Sequence, residues 1–386
     1  MKKVSLLCGS LMLILALSSC SGQLDREPAP TSTLQLNLNT TSEPDPVPDP
    51  GELPTVIPTN AGKIPVTWSN LHLQGKLFYN FGAVDQQNNY IVQIQSLDLA
   101  TGDINVIYRA IPDAWIYYIS ASPGAKAIVM SYSPPLQSDP HVVQALYGMP
   151  WGSSQPPQLL FLPPTREDEY TQAEWSPDGT YIYYTYVNYL SPNDPNRLYP
   201  QYKIFRMKYP QEGQPKLIAD KAYWPRLSSD GLHLVYVSLD PSSGEEHLKV
   251  ADGDGGNAKD VALFGPYIPQ DKTTPFFSPD GKSILFSGSV PDRSYRPEWY
   301  ERILGMENVH ADGQPSDWWS VPVGGGEVTR LTHLYAAYLY GSPSPDGKHV
   351  VSYGGNQMFV MNPDGSEQTV LISGLFGFNA TLSWIP

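Results

Sequence analysis

The sequence predicts an all-β protein, a six-bladed β-propeller of four-stranded antiparallel blades that follows a signal peptide and a disordered Pro-rich tether. A turn-rich composition and a repeat of about fifty residues support this prediction. Of 386 residues, 32 are Gly and 39 are Pro, and only 16% are charged, whereas average domains have about 12% Gly plus Pro and about 25% charged residues. The 41% of hydrophobic residues can bury a core, which excludes a wholly disordered chain.

A Ser-Pro-Asp-Gly motif or a variant of it marks each repeat. Full copies occupy Ser176–Gly179, Ser278–Gly281 and Ser344–Gly347, while Ser228–Gly231 lacks the Pro and Ser122–Gly124 is degraded. Pro presets the backbone for the first central position of a type I turn, and Gly accepts the positive φ that follows. Because alternating apolar residues come next, each copy predicts a tight turn between two strands.

A second hairpin signal, rich in Asp and Gly, lies later in the units. Its copies are Asp98–Asp103, Asp252–Asn257, Gly324–Glu327 and Asn362–Ser366. Two hairpins give four strands, and six such units around an axis give a propeller, with blades starting near residues 68, 117, 171, 223, 274 and 340. The chain ends like the start of another unit, so we expect a strand over 379–386 to close the ring beside Lys76–Tyr79.

The unit Trp175–Gly179 and its continuation resemble the propeller repeats of the TolB family. The resemblance covers nearly all of Trp68–Pro386 and implies the propeller fold. TolB carries an α/β domain before its propeller, and related blades cap prolyl-oligopeptidase-type proteases that carry an α/β-hydrolase domain. This sequence has neither domain, so the resemblance implies a fold and very little about function.

The N-terminus predicts an exported lipoprotein. Lys2 and Lys3 precede the apolar run Val4–Leu17, which is typical of a signal peptide over residues 1–19. Leu17-Ser18-Ser19-Cys20 resembles the lipobox of bacterial lipoproteins, which implies cleavage before Cys20 and its lipidation, with palmitate among the acyl groups. An ordinary secretory signal is the alternative. We expect a lipid-anchored protein on the extracytoplasmic side of a bacterial membrane, in the cell envelope.

Residues 20–62 are predicted to be a disordered linker, and residues 63–386 the propeller. Ser21–Gly62 contains eight Pro and no aromatic residue, a composition that cannot offset the entropy of ordering. The only Cys besides Cys20 is Cys8, within the signal peptide, so no disulfide is expected in the mature chain.

The sequence gives little support for nucleic-acid binding, α/β-hydrolase chemistry, metal binding or glycoside chemistry. A net charge of −14 argues against nucleic-acid binding. The sequence lacks the Gly-x-Ser-x-Gly nucleophile motif, and Asp252–Asn257 lacks the Glu of a calcium loop, so we expect no cofactor and no metal. Glu167–Glu169 could supply paired carboxylates for glycoside chemistry, although we interpret this segment as a solvated loop.

Antiparallel order places the short turns on one face and every long connection on the other. The long candidates are Pro134–His141, Asn188–Tyr202 and Gly288–Asp317. Function concentrates on loops held by a rigid scaffold, so we predict binding there, the alternative being that these aromatics only pack between blades. The predicted binding residues are Trp115, Tyr170, Tyr223, Trp224, Tyr267, Arg293, Arg296, Trp299, Tyr300, Arg302, Tyr335 and Tyr338.

Three functional hypotheses follow. The first is a non-enzymatic, monomeric propeller that binds an envelope protein or polysaccharide through its long-loop face. The second is a carbohydrate-active hydrolase or lyase with carboxylates at the axial funnel, and the third is a structural or assembly lipoprotein that works through its rim. Two or more carboxylates with His or Arg at the funnel would favour the enzyme, and an apolar patch would favour the binding protein.

Overall fold

The structure is a computed structural model. It describes residues 59–84, 90–135, 144–151, 157–165, 168–189, 199–240, 242–290, 315–336, 339–354, 357–373 and 381–386. Among these residues the only helices are two 3₁₀ turns, Ser69–Leu71 and Pro123–Ala125, and no helix is long and apolar enough to cross a membrane. The fold is all-β, as predicted.

Six antiparallel sheets form the blades of a propeller, which confirms the predicted fold class. From the axis outwards, blade 2 is β5 (Trp115–Ala121), β6 (Ala127–Ser133), β7 (Ala145–Pro150) and β8 (Gln158–Phe161), and blade 3 is β9 (Asp168–Trp175), β10 (Tyr181–Asn188), β11 (Gln201–Lys208) and β12 (Lys216–Asp220). Blade 4 is β13 (Ala222–Leu227), β14 (His233–Leu239), β15 (Glu246–Asp252) and β16 (Lys259–Asp260).

The remaining blades follow the same order. Blade 5 is β18 (Lys272–Phe277), β19 (Ser283–Ser289), β20 (Ser316–Pro322) and β22 (Thr329–Arg330), and blade 6 is β23 (Tyr340–Pro343), β24 (Val350–Gly354), β25 (Gln357–Met361) and β26 (Thr369–Ser373). A short parallel pair, β17 (Leu263–Phe264) with β21 (Gly326–Glu327), links the connection after blade 4 to the outer turn of blade 5.

Blade 1 joins the two ends of the propeller. Its inner strand is the C-terminal β27 (Leu382–Ile385), which pairs with β2 (Lys76–Val84), followed outwards by β3 (Tyr90–Asp98) and β4 (Asp103–Arg109). A fifth strand, β1 (Thr59–Lys63), pairs with the outer edge of β4. Residues 59–62, which the sequence analysis assigned to the linker, belong to this strand.

The Ser-Pro-Asp-Gly turns form as the sequence predicts. In the copy of blade 3, the amide of Gly179 donates to the carbonyl of Ser176 over 2.8 Å, and Gly179 has a φ of 70°. The Ser176 hydroxyl donates to the carboxylate of Asp178 and accepts the amide of Tyr181 over 2.8 Å. The Ser hydrogen bond lowers the pKa of Asp178, and the same arrangement recurs in blades 4, 5 and 6.

Neighbouring turns interlock through the Pro of one blade and the Gly of the next. A Cβ added to Gly231 would lie 3.6 Å from the ring of Pro177, and one added to Gly347 would lie 3.7 Å from Pro279. Gly281 has no such neighbour within 4 Å, because blade 4 carries Ser229 where the other turns have Pro. The missing Pro therefore leaves a gap in an otherwise repeated contact.

The inner strands of blades 2 to 5 each contain a β-bulge. Two residues of the inner strand oppose one residue of its neighbour, at 117–118, 172–173, 224–225 and 274–275. Within three of these bulges a non-glycine residue adopts positive φ: Gln172 at 53°, Trp224 at 57° and Thr274 at 49°. Bulges redirect side chains, and here they do so at the axis of the ring.

Candidate binding face

The long-loop face is defined as the side on which each inner strand begins. The tight Ser-Pro-Asp-Gly turns follow the ends of the inner strands and lie on the opposite, short-turn face. Alternate connections return to the long-loop face, including the one between Ser289 and Ser316. The topology thus separates a face of short turns from a face of long connections.

Three aromatic residues from alternate blades meet at the axis. Tyr118 of blade 2 and Trp224 of blade 4 have ring centroids 5.4 Å apart, and Tyr340 of blade 6 lies 6.4 Å from the first and 5.7 Å from the second. All three are less than 10% exposed, and burial raises the pKa of Tyr118 to about 12. We call this set the axial triad, and it fills the centre of the ring.

A polar clasp lies next to the axial triad on its short-turn side. Arg226 places its Nε 3.8 Å from the carboxylate of Glu174 in blade 3, and its Nη2 donates to the carbonyl of Gly341 in blade 6 over 3.4 Å. Burial raises the pKa of Glu174, and the charge of Arg226 opposes that rise. Residues of the triad and the clasp line a small cavity of about 20 Å³ at the axis.

Aromatic and acidic groups gather on the long-loop side of the junction between blades 3 and 4. Glu169 opens the inner strand of blade 3, and the hydroxyl of Tyr189, at the end of the next strand, lies 3.1 Å from its carboxylate. Tyr189 is 44% exposed, and Glu169 is half-buried. Burial raises the pKa of Glu169, and the hydrogen bond from Tyr189 opposes that rise.

A second carboxylate, Glu246, lies where blade 4 meets blade 5. Tyr202 stacks on Tyr223 with centroids 4.7 Å apart, and the hydroxyl of Tyr223 donates to Glu246. The backbone amide of Lys272 donates to the other oxygen of Glu246 over 2.6 Å. Burial raises the pKa of Glu246 and lowers the pKa of the Lys272 ammonium group, whose Nζ donates to the carbonyl of Gln270 over 3.0 Å.

A groove opens beside these residues. It has a volume of about 200 Å³ and is lined by Tyr199, Tyr202, Lys221 and Leu239, among others. All four residues lie where strands of blades 3 and 4 meet the long-loop face. This volume is below the range of about 300–1,000 Å³ that is typical of small-molecule pockets. Among the described residues, no group of three or more His, Cys, Asp or Glu side chains is arranged to hold a metal ion.

Three of the predicted binding aromatics lie in the packed interior: Tyr170, Tyr223 and Trp224. Tyr170 is 4% exposed and packs between blades 2 and 3, with its ring 5.1 Å from that of Tyr184. Tyr223 stacks on Tyr202, and Trp224 belongs to the axial triad. Rings buried in this way offer little surface to a ligand, and they hold blades together.

Three other predicted residues are half-buried and lie on separate parts of the ring: Trp115, Tyr267 and Tyr335. Trp115 stacks with Tyr117 at 6.4 Å, near the start of blade 2. Tyr267 lies 5.6 Å from Trp319, and the guanidinium of Arg330 lies 4.9 Å from the ring of Tyr335. The structure does not bring these three residues together.

The other predicted sites lie outside the described residues. They are Cys20, Arg293, Arg296, Trp299, Tyr300, Arg302 and Tyr338. The predictions made for them remain predictions.

The sequence analysis missed Glu169 and Tyr189. It interpreted residues 167–169 as a solvated loop, which is wrong for two of them, because Asp168 and Glu169 begin the inner strand of blade 3 and Asp168 is only 2% exposed. The alternation of Tyr170, Ala173 and Trp175 was the available signal, since it extends the apolar pattern back from the motif to this point.

A ring of six antiparallel blades around one axis defines the class of this protein, a six-bladed β-propeller. Comparison with known proteins supports that fold. No protein-family model matches the chain, and no curated protein sequence matches it. TolB from Acinetobacter baumannii superposes with a TM-score of 0.53 at 18% identity, over 81% of this chain and 67% of that protein.

Two further structures align over similar lengths. A putative TolB from Agrobacterium tumefaciens gives a TM-score of 0.49 at 17% identity, over 81% of this chain and 99% of that one. An oligogalacturonate lyase from Vibrio parahaemolyticus gives 0.42 at 10% identity, over 78% and 87%. Identities this low bear on the fold alone, and TM-scores below 0.5 add nothing to it.

Proposed function

We propose that the protein is a non-enzymatic, lipid-anchored envelope propeller that binds a protein or envelope polymer through its long-loop face. The observation that supports this proposal is the groove at the junction of blades 3 and 4, which Tyr199 and Tyr202 line. Tyr is enriched where proteins bind partners, because its ring is rigid and amphipathic.

Exposed leucines on three surfaces allow a matched test. Leu162 lies in a connection on the long-loop face, Leu232 lies beside a short turn, and Leu217 lies on the outermost strand of blade 3. Their side chains are 54%, 64% and 48% exposed. A photocrosslinking amino acid is placed at each position in turn in the native organism, and adducts are separated by mass.

We expect discrete protein or polymer adducts from position 162 and none from 232 or 217. Adducts from 217 alone would support an assembly protein that works through its rim. Equal adducts from all three positions, or none from 162, would contradict the proposed binding face.

Lipid anchoring rests on the resemblance of Leu17-Ser18-Ser19-Cys20 to a lipobox. Metabolic labelling with palmitate tests it, together with membrane fractionation. Cys20→Ser is expected to lose the label and to release the chain from the membrane fraction. A labelled or membrane-bound Cys20→Ser protein would contradict the anchor.

A carbohydrate-active enzyme is the second candidate. Two half-buried carboxylates with raised pKa favour it: Glu169 in blade 3 and Glu246 in blade 4, both on the long-loop face. Incubation with acidic and neutral polysaccharides tests this alternative by reducing-end and unsaturated-product assays. Turnover that Glu169→Gln and Glu246→Gln each abolish would establish the enzyme in place of the binding protein.

A further inference from the structure

The outermost strand of blade 6 leaves an unprotected sheet edge on the rim of the ring. β26 pairs with β25 on its inner side, and no strand among the described residues pairs with its outer side. Its five residues, TVLIS, include no charge and no Pro, and three of them are β-branched. An edge of this kind is a ready template for pairing with another strand, and proteins usually protect it.

Every other rim edge that the structure describes is protected. The outermost strand of blade 2 lies between Pro157 and Pro163, and that of blade 3 carries Lys216 and Asp220. The outermost strands of blades 4 and 5 are only two residues long, and that of blade 1 is covered by β1. β26 is therefore the exception among the described rim strands.

Blade 1 shows what a fifth strand does at this position. The same β-bulge interrupts β4 of blade 1 and β26 of blade 6, directly after Val106 in the first and directly after Val370 in the second. The two valines are therefore equivalent. Val106 pairs with Thr59 of β1 and is 5% exposed, whereas Val370 is 43% exposed. Pairing of a further strand with β26 would cover Val370 in the same way.

The charge distribution favours a second copy of this chain as the source of that strand. The formal charge is −14, and a net charge of this sign and size opposes self-association wherever charged surfaces meet. The strands β24, β25 and β26 contain no charged residue, so two copies meet there without direct repulsion. The charged residue nearest to β26 along the chain, Glu367, precedes it by two positions.

We propose that β26 is a homodimer interface, in which two copies of the chain pair β26 with β26 in antiparallel order about a two-fold axis. An axis at Leu371 places Val370 of one copy opposite Ile372 of the other, which is a favourable apolar cross-strand pair. The same axis keeps the two Glu367 carboxylates at opposite ends of the joined strands. The inference is independent of the proposed function, which concerns another surface, and it departs from the monomer that the sequence analysis expected.

Sedimentation velocity on the full mature chain tests the dimer. The chain carries Cys20→Ser, so that no lipid contributes to association, and it is compared with Val370→Lys and Leu217→Lys in the same background. Leu217 is the matched control, because it precedes the bulge of β12 as Val370 precedes that of β26, and it is 48% exposed. We expect a concentration-dependent dimer that Val370→Lys weakens at least about tenfold, because the two-fold axis places the new charge in the interface twice. Leu217→Lys should keep the original affinity.

A chain that stays monomeric up to about 100 µM would overturn the proposal, since a micromolar Kd would already be evident there. A dimer that Val370→Lys leaves intact, or that both Lys variants weaken equally, would also overturn it. Oligomers larger than two would contradict it as well, because two-fold edge pairing closes at the dimer.

Melting temperatures show whether the Lys variants are folded. Should Val370→Lys melt early, Val370→Cys replaces it, because Cys20→Ser leaves no other thiol in the mature chain. The proposed axis makes the two copies of residue 370 diagonal neighbours about 7–8 Å apart, so a bismaleimide of matching span should crosslink Val370→Cys into a dimer. Leu217→Cys should stay monomeric. No crosslinked dimer at 370, or equal crosslinking at 217, would overturn the proposal.

Discussion

Trp224 combines two features that make a sharp prediction. Its ring lies in the axial triad with only 9% exposed, and its backbone has a φ of 57° within a β-bulge. Trp224→Ala removes the ring that contacts Tyr118 and Tyr340. Because the ring fills the point where three blades meet, we expect this variant to lower the free energy of unfolding by about 3–5 kcal/mol.

The left-handed backbone at position 224 predicts which of two variants is the more stable. In a regular strand Gly is less stable than Ala by about 0.5–1 kcal/mol, whereas a left-handed backbone costs a residue with a Cβ roughly 1–2 kcal/mol. At position 224 the second effect is larger, so we expect Trp224→Gly to be more stable than Trp224→Ala by about 1 kcal/mol. Val237 is buried in the neighbouring strand β14. There Val237→Ala should be more stable than Val237→Gly, as expected for a regular strand.

Urea unfolding followed by far-ultraviolet circular dichroism measures all four variants. This signal does not depend on the fluorescence of the Trp being replaced. If Trp224→Ala proved as stable as Trp224→Gly, the positive φ at the axis would be refuted. If Trp224→Ala lost less than about 1 kcal/mol, the triad would not hold the blades together.

Three further predictions use the turns and the clasp. Ser229→Pro should raise the free energy of unfolding by about 0.4–1 kcal/mol, because it restores a preset turn, and a lower urea midpoint would contradict the interlock. A Ser hydroxyl is the main cause that lowers the pKa of Asp178 and of Asp230 in the folded protein. Each carboxylate therefore contributes its full stabilisation above the unfolded-state pKa and loses it as the pH falls through the folded-state pKa. When both residues are replaced by Asn, the melting temperature should fall less steeply between about pH 5 and pH 2. Arg226→Leu should destabilise the protein more than the double variant Arg226→Leu/Glu174→Gln. The single change leaves the partly buried carboxylate of Glu174 without its cation, whereas the double change removes both charges. A double-mutant cycle in urea measures the difference.

The fold could be predicted from sequence because its signals are local. The turn at Ser176–Gly179 depends on four adjacent residues whose side chains and backbone hydrogen-bond to one another. The same local chemistry recurs at a constant period, so the blade count follows from counting motifs. The strand Thr59–Lys63 carries no such signal, because it is ordered by pairing with the distant edge of β4. Composition alone therefore assigned its residues to the linker.

The site resisted prediction for a different reason. Tyr170 and Glu169 are adjacent, yet one packs between blades 2 and 3 and the other lies at the junction with Tyr189, because successive strand residues point to opposite faces. Choosing between them requires the position of the bulge at 172–173, which the sequence does not mark with Gly. The prediction of binding aromatics therefore included rings that belong to the core, and its choice of face stays a prediction.

The axial triad connects the fold to the proposed function. Tyr118, Trp224 and Tyr340 come from alternate blades, so a change in the tilt of one blade moves a ring that two others contact. A partner bound on the long-loop face at the axis would rest against this three-ring contact. Recognition there requires little reordering of the scaffold, and low reordering cost is what allows a shallow face to bind selectively.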